Sequence, residues 1–400
     1  MSVLALLSGL ALAGPPLLLK ASAVHTVSGA VIEDGAVLVQ DGRIQAVGPA
    51  EEVTAPAGTK VLEGAVLTPG MIDTWTTAGL TGPMNHAEDQ DHAESRAPVQ
   101  PELRAVDAYH PHDALVAWIL GFGVTTINTG PSPGQPVSGR TMITRTAPPE
   151  PGAAPMVDDA FLVFTLGERP KGRFGGDGAA SRMGSTALIR QALIDAREYQ
   201  ARRKLKGGDK AAQDLGMDAL VDLLEGRRRA IVHAHRAHDL RTALRIADEF
   251  GIEIILAGAA EGWLVADELA AARVPVLVGP VMARSWRAGE QRNSNFENAA
   301  RLTDAGVPIA FMGGYEGYVP KVRVVLWEAA IAGANGLGPE RTLRALTLGA
   351  AEILQVDDEI GSIDVGKVGD LVLYDGDPME YASHACVVVS GGEVVSQTCR

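Results

Sequence analysis

Two histidines close one of the most apolar runs of the chain. In "RAIVHAH", His233 and His235 are two residues apart, so both side chains lie on the same side of a predicted strand. A neutral imidazole can bind a metal or accept a proton, and it is also a common structural group at a strand end. We therefore expect this pair either to face a pocket or to serve as structural residues.

The acidic stretch "MNHAEDQDHAE" offers a second set of metal ligands. Its candidate ligands are His86, Asp91 and His92. Glu88 and His92 are spaced to share a helix face. Carboxylates combined with imidazole suit zinc or manganese. The alternative interpretation is a solvated acidic loop without bound metal.

The stretch "GGYEGYVPK" follows a further apolar run and contains groups that can transfer protons. Tyr315, Glu316 and Lys321 are the candidate catalytic residues, and Tyr318 is a candidate for substrate binding. The alternative here is a hydrogen-bonded loop that packs the rim of the fold.

Alternating strands and helices must position these residues. Short β-branched runs are separated by amphipathic helical stretches with Gly or Pro near their ends. The predicted strands lie in "VLTPGMID", "VTTINTG", "DAFLVFTL", "RAIVHAH", "IEIILAG", "VPVLVGP" and "VPIAFMG". This order predicts a parallel α/β fold, and its length suits an eight-stranded TIM-type (β/α)8 barrel with its chemistry at the carboxyl ends of the strands.

Both ends of the chain have a different, all-β pattern. "GAVLVQDGRIQAVG" predicts a hairpin that turns at Asp41-Gly42, and "ACVVVSGGEVVSQ" predicts another at Gly391-Gly392. We therefore predict a small composite β-sandwich domain from residues 17–66 and 358–400, with a barrel domain over residues 67–357.

Composition limits the partners and suggests a compartment. The net charge of -14 argues against a nucleic-acid partner. Pro15 and Pro16 interrupt the apolar N-terminal stretch, which argues against a membrane span and favours a signal segment over residues 1–16. We expect an exported, periplasmic protein, with a cytoplasmic one as the alternative. Cys386 and Cys399 could pair after export; otherwise they are free thiols.

Several motifs together resemble the amidohydrolase superfamily, nearest its imidazolonepropionase-like branch. They are the split β module, the "TPGMID" entry into the first strand, "IVHAH" on a middle strand and the closing "GSIDVGKVGDLVLYDGDP". The resemblance implies a TIM-type barrel. It also implies hydrolysis of a carbon–nitrogen bond by water activated on one or two divalent metals.

The ligand set that this family implies is largely missing. Its first-strand His-x-His pair falls on Trp75 and Thr77, and neither side chain can replace an imidazole. The fifth-strand histidine is retained as His233. The sixth-strand histidine falls near Ala257, and the eighth-strand aspartate falls near Gly314. The resemblance also makes Glu168 or Lys171 a candidate bridging ligand.

Two functions follow from this degenerate set of metal ligands. The first is a hydrolase of carbon–nitrogen bonds in a small substrate, with an altered zinc or manganese site around His233 and substrate contacts from His235, Trp75, Thr77 and Tyr318. The second is a catalytically inactive relative, without a metal, that binds a small ligand or a partner protein. A homo-oligomer is compatible with both, and the sequence does not decide whether the protein is an enzyme.

Overall fold

The computed structural model describes residues 14–149, 153–172, 176, 178–282, 289–317 and 322–400. The fold is mixed α/β, with strands from both ends of the chain in one sheet and alternating strands and helices between them. Within the described residues, no helix is both long and apolar enough to cross a membrane.

Both chain ends contribute to a seven-stranded sheet with the order β16-β15-β14-β4-β1-β2-β3. The pairing of β4 with β14 joins the N-terminal strands to the C-terminal ones. The strands are β1 (Leu17–Val24), β2 (Ile32–Gln40), β3 (Arg43–Pro49), β4 (Lys60–Pro69), β14 (Leu371–Tyr374), β15 (Ala385–Ser390) and β16 (Glu393–Ser396). The described strands from the two chain ends thus form one composite sheet, and the predicted β-sandwich is not confirmed. The domain boundaries stay predictions.

The two predicted hairpins are confirmed. Asp41 and Gly42 link β2 to β3, and both have positive φ angles, 53° and 78°. Gly391 and Gly392 link β15 to β16 with φ angles of 60° and 83°. A two-residue hairpin turn needs these angles because its twist must match that of the strands. In the same region, Cys386 and Cys399 form a disulfide, so the structure contains the paired alternative.

Each of the seven predicted apolar runs contains a strand. The strands of the central region are β5 (Met71–Thr76), β6 (Val124–Thr129), β7 (Val137–Arg140), β8 (Met142–Arg145), β9 (Leu162–Thr165), β10 (Ala230–Ala234), β11 (Ile254–Gly258), β12 (Val276–Val278) and β13 (Ile309–Phe311). They form one sheet ordered β13-β12-β11-β10-β9-β7 and another ordered β5-β6-β8. A parallel bridge between Thr76 and Gly314 links the two sheets. This arrangement is consistent with a TIM-type barrel.

Helices alternate with these strands along the chain and pack against them. They are α1 (Ala114–Leu120), α2 (Arg182–Arg203), α3 (Leu215–Leu224), α4 (Ala237–Phe250), α5 (Ala266–Ala272), α6 (Asn298–Asp304), α7 (Val325–Ala332), α8 (Pro339–Leu346) and α9 (Leu348–Leu354). Ser181 caps α2 and Asp214 caps α3 through side-chain bonds to backbone N–H groups. Gly251 ends α4 in the left-handed conformation, as its position in the sequence predicts.

The alternation of side chains along β10 decides which residues reach the inside of the fold. Val232 belongs to the large cluster that packs against the helices. Ile231 belongs instead to the inner cluster, with Ile255, Leu277 and Ala310 from the neighbouring strands. Because side chains alternate between the two faces of a strand, the histidine that follows Val232 points inward with Ile231.

Candidate functional site

A small cavity opens at the carboxyl ends of the central strands, and we call it the mouth cavity. Trp75 and Thr77 line it from the end of β5, and His233 and His235 line it from the end of β10. Tyr315 and Glu316, after β13, form another part of the wall. Its volume of about 140 Å³ is close to that of an engineered protein cavity that holds one benzene molecule. The cavity thus matches a small ligand.

The two histidines of the cavity are buried and uncharged. Their ring centroids are 4.6 Å apart in an edge-to-face arrangement. Burial lowers the pKa of His233 well below its usual value, and His235 and Arg169 lower it further. Burial and Arg169 also lower the pKa of His235 to about 3. Both rings are therefore neutral at pH 7, when each can donate one hydrogen bond and accept another.

Trp75 occupies the space beside His233 where the family resemblance implies an imidazole. Its ring is 2% exposed, and its centroid lies 5.8 Å from that of His233. The indole belongs to the inner apolar cluster, with Ile231 and Ile255 as other members. An indole nitrogen is a donor only and cannot bind a metal as imidazole does. The first-strand side of the cavity therefore provides packing where the family implies a ligand.

Four side chains of the cavity contain buried polar atoms without a partner in the described part of the chain. These atoms are Trp75 Nε1, Thr77 Oγ1, His233 Nδ1 and His235 Nδ1. A buried polar atom without a partner costs about 1–3 kcal/mol, and a bound ligand that pairs with it would remove this cost. Gln291 contacts the other ring nitrogen of His235 at 3.2 Å. All four of these atoms belong to residues that line the mouth cavity.

Asp73 is a site residue that the sequence reasoning missed. Its carboxylate accepts hydrogen bonds from the backbone N–H groups of Gly313, at 2.8 Å, and Trp75, at 3.3 Å. Burial raises its pKa to about 8, although these two hydrogen bonds oppose the shift. Asp73 thus holds the end of β5 against the residues after β13. The available signal was a carboxylate inside the apolar run "VLTPGMID".

The structure does not bring the acidic stretch into the cavity. His86 and Asp91 are exposed, and the predicted helix face shared by Glu88 and His92 is wrong, because the helical turn spans only Ala87–Asp89. His92 is buried, and its Nδ1 lies 2.7 Å from Ser132 Oγ. The stretch lacks the helix that would align its ligands, so its exposed carboxylates remain solvated.

His92 contacts the cavity wall from outside. Its ring stacks on Tyr315, with 4.3 Å between the centroids. A buried histidine bonded to a serine and stacked on an aromatic ring is positioned for packing. Among the residues that the structure describes, His92 does not belong to a group of three or more metal-binding side chains.

Glu168, another predicted site residue, is bound to two cations, one of which is the other predicted bridging ligand, Lys171. Glu168 pairs with Lys171 at 2.6 Å and with Arg182 at 2.6 Å. The hydrogen bond from Lys171 lowers the pKa of Glu168, with Arg182 contributing and burial opposing. The structure therefore holds Glu168 in an ion-pair network rather than as a bridging metal ligand.

Glu316 lies in the cavity wall but is also paired. It forms a short ion pair with Arg323, and Arg323 contacts the fully buried Glu328 at 2.8 Å. Glu328 accepts a hydrogen bond from the Met282 N–H at 2.9 Å, and burial raises its pKa. The sequence reasoning missed Arg323 and Glu328. Tyr318 and Lys321 lie outside the described residues.

The donor set of the cavity does not fit a catalytic metal centre. A hydrolytic zinc needs three protein ligands and one open position. Across the residues that the structure describes, no group of three or more His, Cys, Asp or Glu side chains converges on a point. His233 and His235 supply imidazoles, but Trp75 and Thr77 supply none.

The split sheet, the parallel strands and the histidine cavity at their carboxyl ends define the class of barrel proteins related to metal-dependent hydrolases. A family model described as "Amidohydrolase family" matches residues 208–398, and one described as "Imidazolonepropionase-like composite domain, bacteria" matches residues 35–55. An amidohydrolase from Thermotoga maritima MSB8 superimposes with a TM-score of 0.88 at 29% identity, covering 95% of this chain and 100% of that chain. The chain belongs to the amidohydrolase superfamily, in its imidazolonepropionase-like branch.

Curated relatives match over limited parts of their length. Amidohydrolase tasK of Hapsidospora irregularis is 26% identical over 378 residues, which are 86% of this chain and 38% of the relative. An imidazolonepropionase from Geobacillus sp. (strain WCH70) is 34% identical over 110 residues, 26% of each protein. The matches therefore span well under two thirds of these relatives. A zinc-bound adenosine deaminase from Xanthomonas campestris shares the fold, with a TM-score of 0.57 and 20% identity over 95% of this chain and 93% of that chain.

Proposed function

We propose that this protein is a catalytically inactive amidohydrolase-family barrel that binds a small, planar, uncharged amide in its mouth cavity. The observation that carries the proposal is Trp75, which packs against His233 in the place of a metal-binding imidazole. The alternative is hydrolysis of a carbon–nitrogen bond at an altered metal site. Detection of that activity would overturn the proposal.

The chemistry of the cavity argues against hydrolysis by metal-activated water. Activation of water at neutral pH depends on a metal held by several protein ligands. Here the two imidazoles stand beside an indole and a hydroxyl, and the Glu316 carboxylate is bound to Arg323. The exposed His86 and Asp91 cannot complete the set without a large movement of their loop.

The same groups suit a neutral ligand with hydrogen-bonding edges. Neutral His233 and His235 can each donate and accept, and Gln291 adds an amide to the cavity. Trp75 supplies an aromatic surface. A five-membered cyclic amide has both the size and the polar edges that match these groups, and the imidazolonepropionase relatives are named for a ring of this kind.

Hydantoin titration tests this proposal directly. We expect saturable binding with a Kd on the order of 0.1–1 mM, given the small number of ligand atoms. Gly317 lines the cavity and has open space where a Cβ would lie, so Gly317→Phe should abolish binding. Gly208→Phe is the matched control, because Gly208 lies on an exposed loop with equally open surroundings.

Adding zinc or manganese to the same samples tests the loss of catalysis. We expect hydantoin to remain intact, as measured by mass spectrometry. Metal-dependent ring opening that disappears in His233→Ala would show that the protein is a hydrolase and would overturn the proposal. Absence of hydantoin binding would overturn the assignment of the ligand class.

We also propose that the protein is exported to the periplasm. The Cys386–Cys399 disulfide supports this, because disulfides persist in oxidising compartments. The apolar residues 1–16 give a second reason. A reporter enzyme fused after residue 16 should be recovered in the periplasmic fraction, and recovery in the cytoplasm would contradict export.

A further inference from the structure

A second cavity lies on the side of the molecule, between α7 and the segment from residue 378 to residue 385. We call it the flank cavity. Its volume is about 740 Å³, compared with about 140 Å³ for the mouth cavity. This is within the range of about 300–1,000 Å³ that is typical of small-molecule sites, which often lie where two structural units meet. Here α7 of the barrel region faces the C-terminal part of the composite sheet.

One wall of the flank cavity is apolar and aromatic. Leu326, Trp327 and Ile331 line it from α7, and Phe122 lines it from the turn after α1. The rings of Trp327 and Phe122 meet edge to face, with 5.1 Å between their centroids. Trp327 is nevertheless 39% exposed, so part of its indole surface faces the cavity uncovered. An added aromatic ring would extend this cluster and remove that surface from water.

The rest of the lining includes polar groups and an exposed cation. Arg400 lines the cavity beside Ser383 and His384, and within the described part of the chain its guanidinium has neither a hydrogen bond nor an ion pair. Its side chain packs over Gly121: a Cβ at that glycine would lie 3.0 Å from Arg400 Cδ. The carboxylate in this part of the lining, Glu380, is exposed to solvent.

The backbone around Arg400 is fixed by two hydrogen bonds and a disulfide. Ala385 N donates to Arg400 O at 2.9 Å, and Arg400 N donates to Ala385 O at 3.3 Å. The adjacent Cys386–Cys399 disulfide joins the same two segments covalently. These links hold the backbone from which the Arg400 side chain extends over Gly121. The aromatic wall and Arg400 line the same flank cavity.

We propose that the flank cavity binds a small aromatic acid, with its ring against Trp327 and Phe122 and its anionic group on Arg400. This site is separate from the mouth cavity and does not depend on the function proposed for it. Neither histidine of the mouth cavity contributes to its walls.

Isothermal titration with 2-naphthoate and neutral 2-naphthol tests this site. We expect the anion to bind about tenfold more tightly, since a charge-assisted hydrogen bond supplies the difference. Arg400→Gln should remove this preference while 2-naphthol still binds. Ala334→Trp should block both ligands, because Ala334 lines the cavity. Ala201→Trp, on the exposed surface of α2, is the matched control and should bind as the wild type does.

Three results would overturn the proposal. The first is no binding of either naphthalene, and the second is binding that Ala334→Trp leaves unchanged. The third is a concentration-dependent dimer, seen by sedimentation, that Ala334→Trp dissociates: a second copy of the chain would then be the occupant of the groove. Equal affinity for 2-naphthoate and 2-naphthol would overturn the role of Arg400.

Discussion

The ends of two strands, β5 and β10, form two sides of the mouth cavity, and these sides differ in their side chains. On the β10 side, His233 keeps the imidazole that the family resemblance implies, and His235 adds a second imidazole. On the β5 side, Trp75 and Thr77 provide an indole and a hydroxyl where the family resemblance implies two imidazoles. The β5 strand itself keeps its place: Gly314 N donates to Trp75 O at 2.9 Å, and Asp73 ties the strand to Gly313. The backbone at the end of β5 is therefore held in place by hydrogen bonds that do not depend on which side chains line the cavity.

The largest predicted effect concerns the packing of the β5 side. Trp75→Ala should lower the free energy of unfolding by about 3–5 kcal/mol, because it leaves a cavity inside the barrel. Urea denaturation measures this loss. The half-exposed Trp327 is the control, and its replacement by Ala should cost less than half as much. A cost for Trp75→Ala no greater than that of Trp327→Ala would show that the indole does not pack the barrel as described.

Introducing imidazoles on the β5 side should create a zinc site between β5 and β10. In the double variant Trp75→His, Thr77→His, new imidazoles would face His233 across the distance that Trp75 now spans. We expect zinc affinity to rise by at least about a hundredfold over the wild type, or ~1.4 kcal/mol for each tenfold step.

Zinc titration followed by the thermal midpoint measures this gain, since a metal that binds the folded state raises Tm. Adding His233→Ala to the double variant should reverse the rise. If zinc does not alter the Tm of the double variant, the ends of β5 and β10 do not bring their side chains within reach of one metal ion.

The buried His235 at the end of β10 should make the free energy of unfolding depend on pH. Burial and Arg169 lower the pKa of His235 to about 3, against a usual value near 6.5. Between these values the unfolded state binds a proton that the folded state does not, so this histidine destabilises the fold as the pH falls. The expected slope is ~1.4 kcal/mol per pH unit.

His235→Gln lacks this contribution, so it isolates the histidine from other titrating groups such as Asp73. The stability of wild type relative to His235→Gln should therefore fall between pH 6.5 and pH 5. Urea denaturation across this range is the measurement. A stability difference that does not change with pH would contradict the buried, neutral state of His235.

The smallest effects should separate two histidines of the acidic stretch. His92→Ala should cost about 1–3 kcal/mol, because it leaves the buried Ser132 hydroxyl without its partner. His86→Ala changes an exposed residue and should stay within about 0.5 kcal/mol of the wild type. Equal costs in thermal denaturation would show that the stretch behaves as one unit.

Regular patterns made much of this structure predictable. The β-branched runs gave the central strands, and Asp41-Gly42 gave a hairpin because few residues adopt positive φ angles. The alternation of side chains predicted that His233 and His235 lie on one side of their strand, but it left open whether that side faces a pocket. The motif comparison also identified Trp75 and Thr77, which do line the cavity.

The remaining site contacts join segments without a local pattern. His92 meets Ser132 across 40 residues, and Asp73 meets Gly313 across 240. No periodicity in the sequence encodes such a contact, because it depends on how loops settle on the finished barrel. Glu316 was a good proton-transfer candidate by residue type, but its pairing with Arg323 became visible only in three dimensions.

Metal content tests the central claim most directly. The purified wild type and His233→Ala should be dialysed against trace zinc and manganese and then measured by elemental analysis. Our account predicts that both proteins retain far less than one equivalent of either metal, because the β5 side supplies no imidazole. A full equivalent in the wild type that disappears in His233→Ala would contradict it and would show that a rebuilt metal site exists.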